Sequence, residues 1–456
     1  MNHTTTLPTP SEPTAAASRR HFLTVAMRAD RPRTLPMRVC LDGHREAQIT
    51  RGSTLARARS SSPRAREIQV DDGALSSVHF RLRAVPGGWW LDDAQSKNGT
   101  LVDGQRVDSI ALRDGAVIEA GQTFFVFRAC EAPPAGDVVH ARELAGRPRG
   151  LGTLHPGLED RFLSLARVAS SRLPVLIRGE TGTGKDLVAR AIHELSARPG
   201  PLVAVNCASI PPDLLHAELF GARRGAYSGA IADRQGLARA ADRGTLFFDE
   251  IAELPAGSQV SLLRLLQEHE VMPLGATQAV PVDLRFIAAT HADVNAIGFR
   301  PDLLARLAGA VFTLPPLRER REDLGMLVAE FLEDCEAPAD LSFSLAAARQ
   351  VMHGAWRLNI RQLRHGVSAA VLSGDRQIDG ARLSLDGLSP LSASDGSLAP
   401  RAARRGAVTG ELLAGLLRTH AGNVSAVARV LATSRTQITR LMHRFGLDPW
   451  GNSARS

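Results

Sequence analysis

Residues 179–186 read Gly-Glu-Thr-Gly-Thr-Gly-Lys-Asp and fit the pattern G-x-x-x-x-G-K. In that spacing, glycines let successive backbone N–H groups close around phosphate oxygens while the lysine reaches the outer phosphates. Gly179, Glu180, Thr181, Gly182, Thr183, Gly184, Lys185 and Asp186 are therefore the expected ligands of a nucleotide's phosphates. The chain holds 55 lysines plus arginines, yet only Lys97 and Lys185 are lysine. A chain that uses arginine almost everywhere has kept lysine where a phosphate would need it. Further along, an apolar run ends in Phe247-Phe248-Asp249-Glu250. The roles that suit this acidic pair are Asp249 as a Mg²⁺ ligand and Glu250 as the base that polarises the attacking water. Asp186 stands where the generic pattern places a hydroxyl on the metal, which shifts metal binding to Asp249 and water.

These groups need elements to hold them. Val175-Leu176-Ile177 reads as a buried strand feeding the loop, and Leu187 to Ser196 as a helix whose N-terminus faces the anion. Thr245 to Phe248 has the continuous apolar character of a parallel strand, which brings Asp249 and Glu250 out at its carboxyl end. Between the two motifs lies Gly-Ala-Tyr-Ser-Gly-Ala, formed by Gly225, Ala226, Tyr227, Ser228, Gly229 and Ala230. Glycines at both ends would let this loop rise and fall with nucleotide state, carrying the chain's single tyrosine.

From about Gly152 to Asp386 the chain resembles the AAA+ domain of bacterial sigma-54-dependent transcription activators. The motifs that carry the resemblance are Asn206-Cys207-Ala208, Glu218-Leu219-Phe220-Gly221, the hexapeptide, Gly244 to Glu250, Phe299 to Leu303, Leu314 to Arg320 and Asn359 to Leu363, in the family's order. The resemblance implies a ring, usually a hexamer, with ATP between subunits and a hexapeptide loop that contacts the sigma factor. It implies that Asn206 switches the catalytic Glu250, that Thr290 and His291 sense nucleotide, and that Arg361 is a second sensor. Arg300 and Arg306 would be the arginines inserted from a neighbouring subunit, which neutralise charge on the transferred phosphate. Two departures stand out. Tyr227 and Ser228 replace Phe and Thr of the family hexapeptide, and Trp356-Arg357-Leu358-Asn359 replaces Trp-Pro-Gly-Asn before the second sensor.

Residues 1–36, rich in Thr, Pro, Ser and Ala, are expected to be a disordered tail. Short alternating segments separated by Gly, Asp and Asn turns over 37–128 predict a small all-β sandwich, with strands at Trp89 to Leu91, Thr100 to Val102 and Thr123 to Phe127. Leu75 to His79, Ser96 to Thr100 and Leu112 to Gly115 resemble the forkhead-associated domain, a phosphothreonine-peptide reader. The resemblance implies that Ser76 and Asn98 hold the peptide, that His79 braces the loop, and that Arg57 grips the phosphate. A phosphothreonine offers about −1.5 to −2 charge and three acceptor oxygens, which suits an arginine plus hydroxyl and amide donors. A linker is expected over 129–151, an ATPase core over 152–323, its helical lid over 324–387 and a second linker over 388–406.

Over 407–456, three apolar faces predict three short helices. They are Leu412, Leu413, Leu416 and Leu417; Val424, Val427, Ala428 and Leu431; and Ile438, Leu441, Met442 and Phe445. Ser434 and Gln437 form a capping box at the third. The spacing fits helix-turn-helix, and Asn423 to Ala428 with Ser434 to Thr436 resembles the Fis type. Eight arginines against Glu411 alone between Arg401 and Arg444 suit a phosphate backbone. Arg435, Thr436, Gln437 and Arg440 are the candidates for reading base edges.

The expected architecture is thus multidomain: a forkhead-associated-like all-β sandwich, an α/β P-loop AAA+ core with a helical lid, and an all-α helix-turn-helix. A length of 456 residues suggests about three folded units, and a net charge of +8 favours a polyanionic partner. Cys40, Cys130, Cys207 and Cys335 show neither zinc spacing nor a disulfide framework, and no segment approaches the roughly 20 apolar residues of a membrane helix, so a cytoplasmic location is expected. The expected function is ATP-driven transcription activation on sigma-54 RNA polymerase holoenzyme and enhancer DNA. Control would come through a phosphothreonine on another protein or on the chain's own tail, placed by a serine/threonine kinase. Two other readings stay open: a phosphorylation-controlled DNA-binding repressor, and an AAA+ remodeller of a partner other than sigma-54.

Overall fold

The segment Phe22-Leu23-Thr24-Val25-Ala26-Met27 lacks the polar alternation of a half-buried strand because both of its sides are covered. The structure, a computed structural model, describes residues 19–52, 56–62, 64–131, 136–226, 232–292 and 299–383, with Leu413, Ala414, Leu417, Val424 and Met442. In it β1 (Arg19–Arg28) runs through the middle of a seven-stranded sheet. Leu23 and Val25 enter the core between two sheets, while a register shift after Val25 sets Ala26 and Met27 against the helical lid that follows the α/β core. A strand packed on both faces has no solvent side for polar residues. The expected tail over 1–36 is therefore corrected: the sandwich begins at Arg19, and residues 1–18 lie outside the described residues.

The remaining strands are β2 (Met37–Cys40), β3 (Glu46–Arg51), β4 (Arg57–Ser62), β5 (Ala65–Val70), β6 (Val78–Val85), β7 (Gly88–Asp93) and β8 (Thr100–Val102). After them come β9 (Gln105–Val107), β10 (Ser109–Ala111), β11 (Val117–Ala120), β12 (Thr123–Glu131) and β13 (Val138–His140). They form two sheets, ordered β13-β2-β1-β12-β11-β8-β9 and β10-β7-β6-β3-β5-β4. The expected strands around Trp90, Leu101 and Phe125 are β7, β8 and β12. The expected linker over 129–151 is also corrected. Ala129 to Glu131 continue β12, β13 pairs with β2, and Ala141–Leu144 form a 3-10 turn that buries Ala141 and Leu144.

The α/β core follows with α1 (Pro156–Ala169), β14 (Val175–Arg178), α2 (Lys185–Leu195), β15 (Leu202–Asn206) and α3 (Pro212–Phe220). A small hairpin of β16 (Gly221–Ala222) and β17 (Arg234–Gln235) precedes α4 (Leu237–Ala240), β18 (Thr245–Asp249) and α5 (Ala256–Glu268). Next are β19 (Glu270–Val271), β20 (Val280–Pro281), β21 (Arg285–Thr290), α6 (Pro301–Leu307) and β22 (Ala310–Thr313). The central sheet is parallel, in the order β15-β18-β21-β14-β22, so the carboxyl ends of β14, β18 and β21 lie side by side. Parallel sheets place ligands at such ends. The lid comprises α7 (Leu324–Asp334), β23 (Ser342–Phe343), α8 (Leu345–His353), α9 (Asn359–Leu372), β24 (Gln377–Ile378) and α10 (Gly380–Leu383).

Sandwich and lid share one core. Ala26, Met27, Phe124 and Val126 of the sandwich cluster with Leu324, Val328, Phe331 and Phe343 of the lid. Phe343 N–H donates to Ala29 O at 2.8 Å. Gly325 lies so close to the Ala26 carbonyl that any side chain there would collide with it. In the chain beyond Leu388 the five described residues are helical, with Leu413 and Leu417 buried. The 388–406 linker lies outside the described residues, as do Arg435, Thr436, Gln437 and Arg440. No described helix is long and apolar enough to cross a membrane.

Candidate functional site

The phosphate loop joins β14 to α2. Gly182 and Gly184 take left-handed φ values of +77° and +97°, conformations that glycine adopts without the Cβ penalty. Lys185 is buried at the first turn of α2, and its Nζ donates to Gly179 O at 2.9 Å and to Glu180 O at 3.4 Å. It also stands 3.5 Å from Glu250 Oε1. Thr183 Oγ1 closes the loop by donating to Glu180 O at 2.8 Å. Gly179 N–H donates to Thr290 O at 3.2 Å, which ties the loop to the end of β21.

Asp249 ends β18 and Glu250 follows it at φ +53°, a left-handed conformation that is costly for a non-glycine residue. The bend turns the Glu250 carboxylate toward His291, whose backbone N–H and Nδ1 lie 3.2 and 2.7 Å from Oε2. Burial raises the Asp249 carboxyl above its ordinary value, and the Glu250 charge adds to that while Lys185 opposes it. Asn206 sits in register with Asp249 on the neighbouring strand, but its Oδ1 accepts from Ala208 N–H at 3.0 Å. Among the described residues it makes no hydrogen bond to Glu250; His291 occupies that place instead. Thr290 is buried, and its Oγ1 accepts from Ala292 N–H at 3.0 Å.

The lid grips the loop from above. Asn359, fully buried at φ +52°, donates from Nδ2 to Glu180 Oε2 at 3.1 Å and to Thr181 O at 3.0 Å, while its Oδ1 accepts from Leu317 N–H at 2.7 Å. Arg318 forms a bidentate pair with Glu180, and the buried Arg320 donates to Thr183 O at 2.8 Å. Arg361 is exposed, and its backbone N–H lies 3.4 Å from Gly182 O. The turn before it forms without Pro-Gly: Trp356 at φ +41° and Asn359 supply the left-handed positions. Arg300 and Arg306 are both exposed on or beside α6. Arg300 pairs with Asp302 at 2.6 Å, and Arg306 has no partner among the described residues.

At the hexapeptide, Gly225 takes φ +82°, and Arg223 pairs with Asp233 across the base of the loop. Asp233 also accepts from Arg224 N–H at 2.9 Å. Tyr227, Ser228, Gly229 and Ala230 lie outside the described residues.

In the sandwich, buried His79 accepts from Ser76 N–H at Nδ1 (3.1 Å), and its Nε2 lies 3.2 Å from Gly99 O. Ser76 Oγ accepts from Lys97 N–H at 3.0 Å, and Asn98 Nδ2 donates to Ala74 O at 2.8 Å. The two loops are thus stitched together with His79 behind them. Among the described residues Arg57 makes no hydrogen bond to either loop. On the edge strand β4 it pairs with Gln69 of β5, and it lines a cavity of about 830 Å³ with His140 and Arg142. Arg51, at the end of β3, donates its backbone N–H to Ser76 O at 3.3 Å and exposes its side chain.

The Sigma-54 interaction domain family matches residues 153–313, and the FHA domain family matches residues 59–121. The chain is 40% identical over 338 residues to the acetoin catabolism regulatory protein of Cupriavidus necator, covering 70% of this chain and 50% of that protein. It is 37% identical over 316 residues to the regulatory protein AtoC of Escherichia coli, covering 65% of this chain and 68% of AtoC. The chain belongs to the sigma-54 interaction-domain family of transcriptional regulators. A crystal structure of NtrX from Brucella abortus in complex with ADP aligns at 29% identity and a TM-score of 0.47, covering 64% of this chain and 68% of that one. The chain spans half the length of the acetoin regulator.

The site of this sigma-54 interaction-domain protein suits a nucleotide with a divalent cation. Lys185 is held by carbonyls and a carboxylate that an anion can replace, and the charges of Glu250 and Asp186 crowd the half-buried Asp249. Among the described residues no group of three or more His, Cys, Asp or Glu is arranged to hold a metal. A Mg²⁺ ion would therefore use Asp249 together with phosphate oxygens and water, its usual ligand set beside a nucleotide. The side chain of Asn359 and the guanidinium groups of Arg318 and Arg320 escaped sequence reasoning as site residues. Their motifs were visible, but nothing in the local pattern says that they reach the phosphate loop.

Proposed function

We propose that the chain hydrolyses ATP at a subunit boundary and uses the hexapeptide loop to remodel the closed promoter complex of sigma-54 polymerase, under the control of phosphothreonine recognition by the sandwich. The observation that carries this reading is the convergence of Lys185, Asp249, Glu250 and His291 at the carboxyl ends of neighbouring parallel strands. Lys185 is placed to neutralise the outer phosphates. Glu250 is placed to orient and deprotonate a water, with His291 holding its other oxygen. Bound Mg²⁺ would supply charge neutralisation on the phosphates from Asp249. Arg300, just before α6, and Arg306, on it, are exposed and available to a neighbouring subunit's phosphates in a ring, and Arg361 and Thr290 lie against the loop that would report nucleotide state.

In the sandwich, Ser76, Asn98 and Arg51 form the phosphothreonine site with His79 as the brace. Arg51 takes the role expected of Arg57, because β3 delivers it beside Ser76. The C-terminal segment docks on enhancer DNA through Arg435, Thr436, Gln437 and Arg440.

The deciding experiment measures ATP hydrolysis and open-complex formation with sigma-54 polymerase for wild type, Glu250→Gln and Ser228→Ala. The reading requires Glu250→Gln to bind ATP without turning it over. It requires Ser228→Ala to hydrolyse ATP while losing open complexes. Open complexes at wild-type level with Glu250→Gln would refute it.

A further inference from the structure

Beside Thr183 and Gly184, at the far end of the phosphate loop, a cavity of about 750 Å³ opens between core and lid. Its volume suits a small-molecule ligand of nucleotide size. Phosphates belong at the N-terminus of α2, so the cavity just beyond is where the rest of a nucleotide would extend. Leu187 of α2, Met326 and Phe331 of α7, and Ile360 of α9 supply apolar walls suited to a flat base.

One wall belongs to neither core nor lid. Arg33 and Leu35 come from the sandwich loop between β1 and β2, and Ala141 and Leu144 from the turn after β13. Leu35 is 47% exposed, a large apolar side chain facing an open cavity. The loop that carries it is pinned at both ends. Arg33 donates to the lid carbonyls of Ala337 and Leu332, and Pro36 O accepts from Ala141 N–H at 3.0 Å. The turn is anchored in turn: Ala141 and Leu144 pack with Leu154 of the core and Met326 of the lid. Arg33, Leu35 and Arg142 also line the neighbouring cavity of about 830 Å³, so this loop is the partition between the two spaces.

We propose that the sandwich completes the nucleotide pocket, with Leu35 covering the base, so that base recognition depends on the docked sandwich while triphosphate recognition does not. The proposal rests on the nucleotide-binding reading above and adds a specificity-determining residue from outside the ATPase domain. A change that moves the sandwich would then alter nucleotide affinity directly.

Isothermal titration of the full chain with ADP and, separately, with inorganic tripolyphosphate tests it. In Leu35→Glu, which sets a carboxylate against the base, ADP affinity should fall by about 10-fold or more while tripolyphosphate affinity stays within about 2-fold of wild type. Leu35→Ala, a milder change at a half-exposed position, should weaken ADP by about 3-fold with the same indifference to tripolyphosphate. ADP affinity at wild-type level in both variants overturns the proposal, as does parallel loss of both ligands. A wild-type protein that binds neither ligand would remove the underlying nucleotide reading, a result distinct from either.

Discussion

Arg128 of the sandwich donates two hydrogen bonds, at 2.6 and 3.0 Å, to the carboxylate of Glu322 at the entrance to the lid. Both side chains are buried, and Arg128 also donates to Glu319 O at 3.0 Å and to Asp114 at 3.2 Å. A buried ion pair is defended by what its loss leaves behind: one charge without a partner in a low-dielectric interior. Removing one partner therefore costs more than the intact pair contributes.

Replacing Arg128 with Met should destabilise the chain by about 3 to 5 kcal/mol, because Glu322 is stranded. The double variant Arg128→Met, Glu322→Leu should recover most of that. Burial alone would raise the Glu322 carboxyl, but the Arg128 charge overcomes it and holds the group below its ordinary value. A depressed carboxyl contributes stability above the unfolded glutamate range and loses it as pH falls through its folded value. Urea titrations across pH should show wild type losing this advantage in acid, with the double variant lacking that loss.

Asp323, the next residue, is shifted the other way. Burial pushes its carboxyl up to about 6, because Arg320 lies 4.0 Å away and the hydrogen bonds from Thr153 and Leu154 compensate only in part. A raised carboxyl stabilises the fold fully below its unfolded value, and that contribution is lost as pH climbs through about 6. Between about pH 4.5 and 7, wild type should lose on the order of 2 kcal/mol relative to Asp323→Asn, which cannot titrate. Identical pH profiles for the two proteins would refute the assignment.

Asn359 satisfies Leu317 N–H, Glu180 and Thr181 at once. Asn359→Ala leaves a buried N–H without a partner and unhooks the lid from the phosphate loop, costing about 1 to 3 kcal/mol. In steady-state ATPase assays the expected signature is a raised KM for ATP with a smaller change in kcat.

Arg51→Ala should weaken binding of a phosphothreonine peptide by about 10-fold or more, the loss of a charge-assisted contact, whereas Arg57→Ala should change it by less than about 2-fold. Fluorescence anisotropy with phosphorylated and unphosphorylated peptides reads this out. The opposite ranking would return the phosphate to Arg57.

The phosphate loop, the strand ending in Asp249 and Glu250, and the parallel core were legible in the chain itself. Their chemistry is local: backbone N–H groups must converge within one loop, and a carboxylate must leave one buried strand, so contiguous residues spell them out. The two contacting loops of the sandwich, at Ser76 to His79 and Ser96 to Thr100, carried the FHA resemblance for the same reason. What folding alone decided are relations between segments far apart in sequence. Arg51, which the spacing did not single out, meets Ser76 because strand order delivers it there. Both β15 and β21 adjoin β18, so what brings Glu250 to His291 and not to Asn206 is the left-handed bend that turns its carboxylate toward β21. β1 escaped a reading based on alternation because two different cores cover its two faces. One of those cores belongs to the lid, and no periodicity within β1 could announce a surface more than 290 residues away.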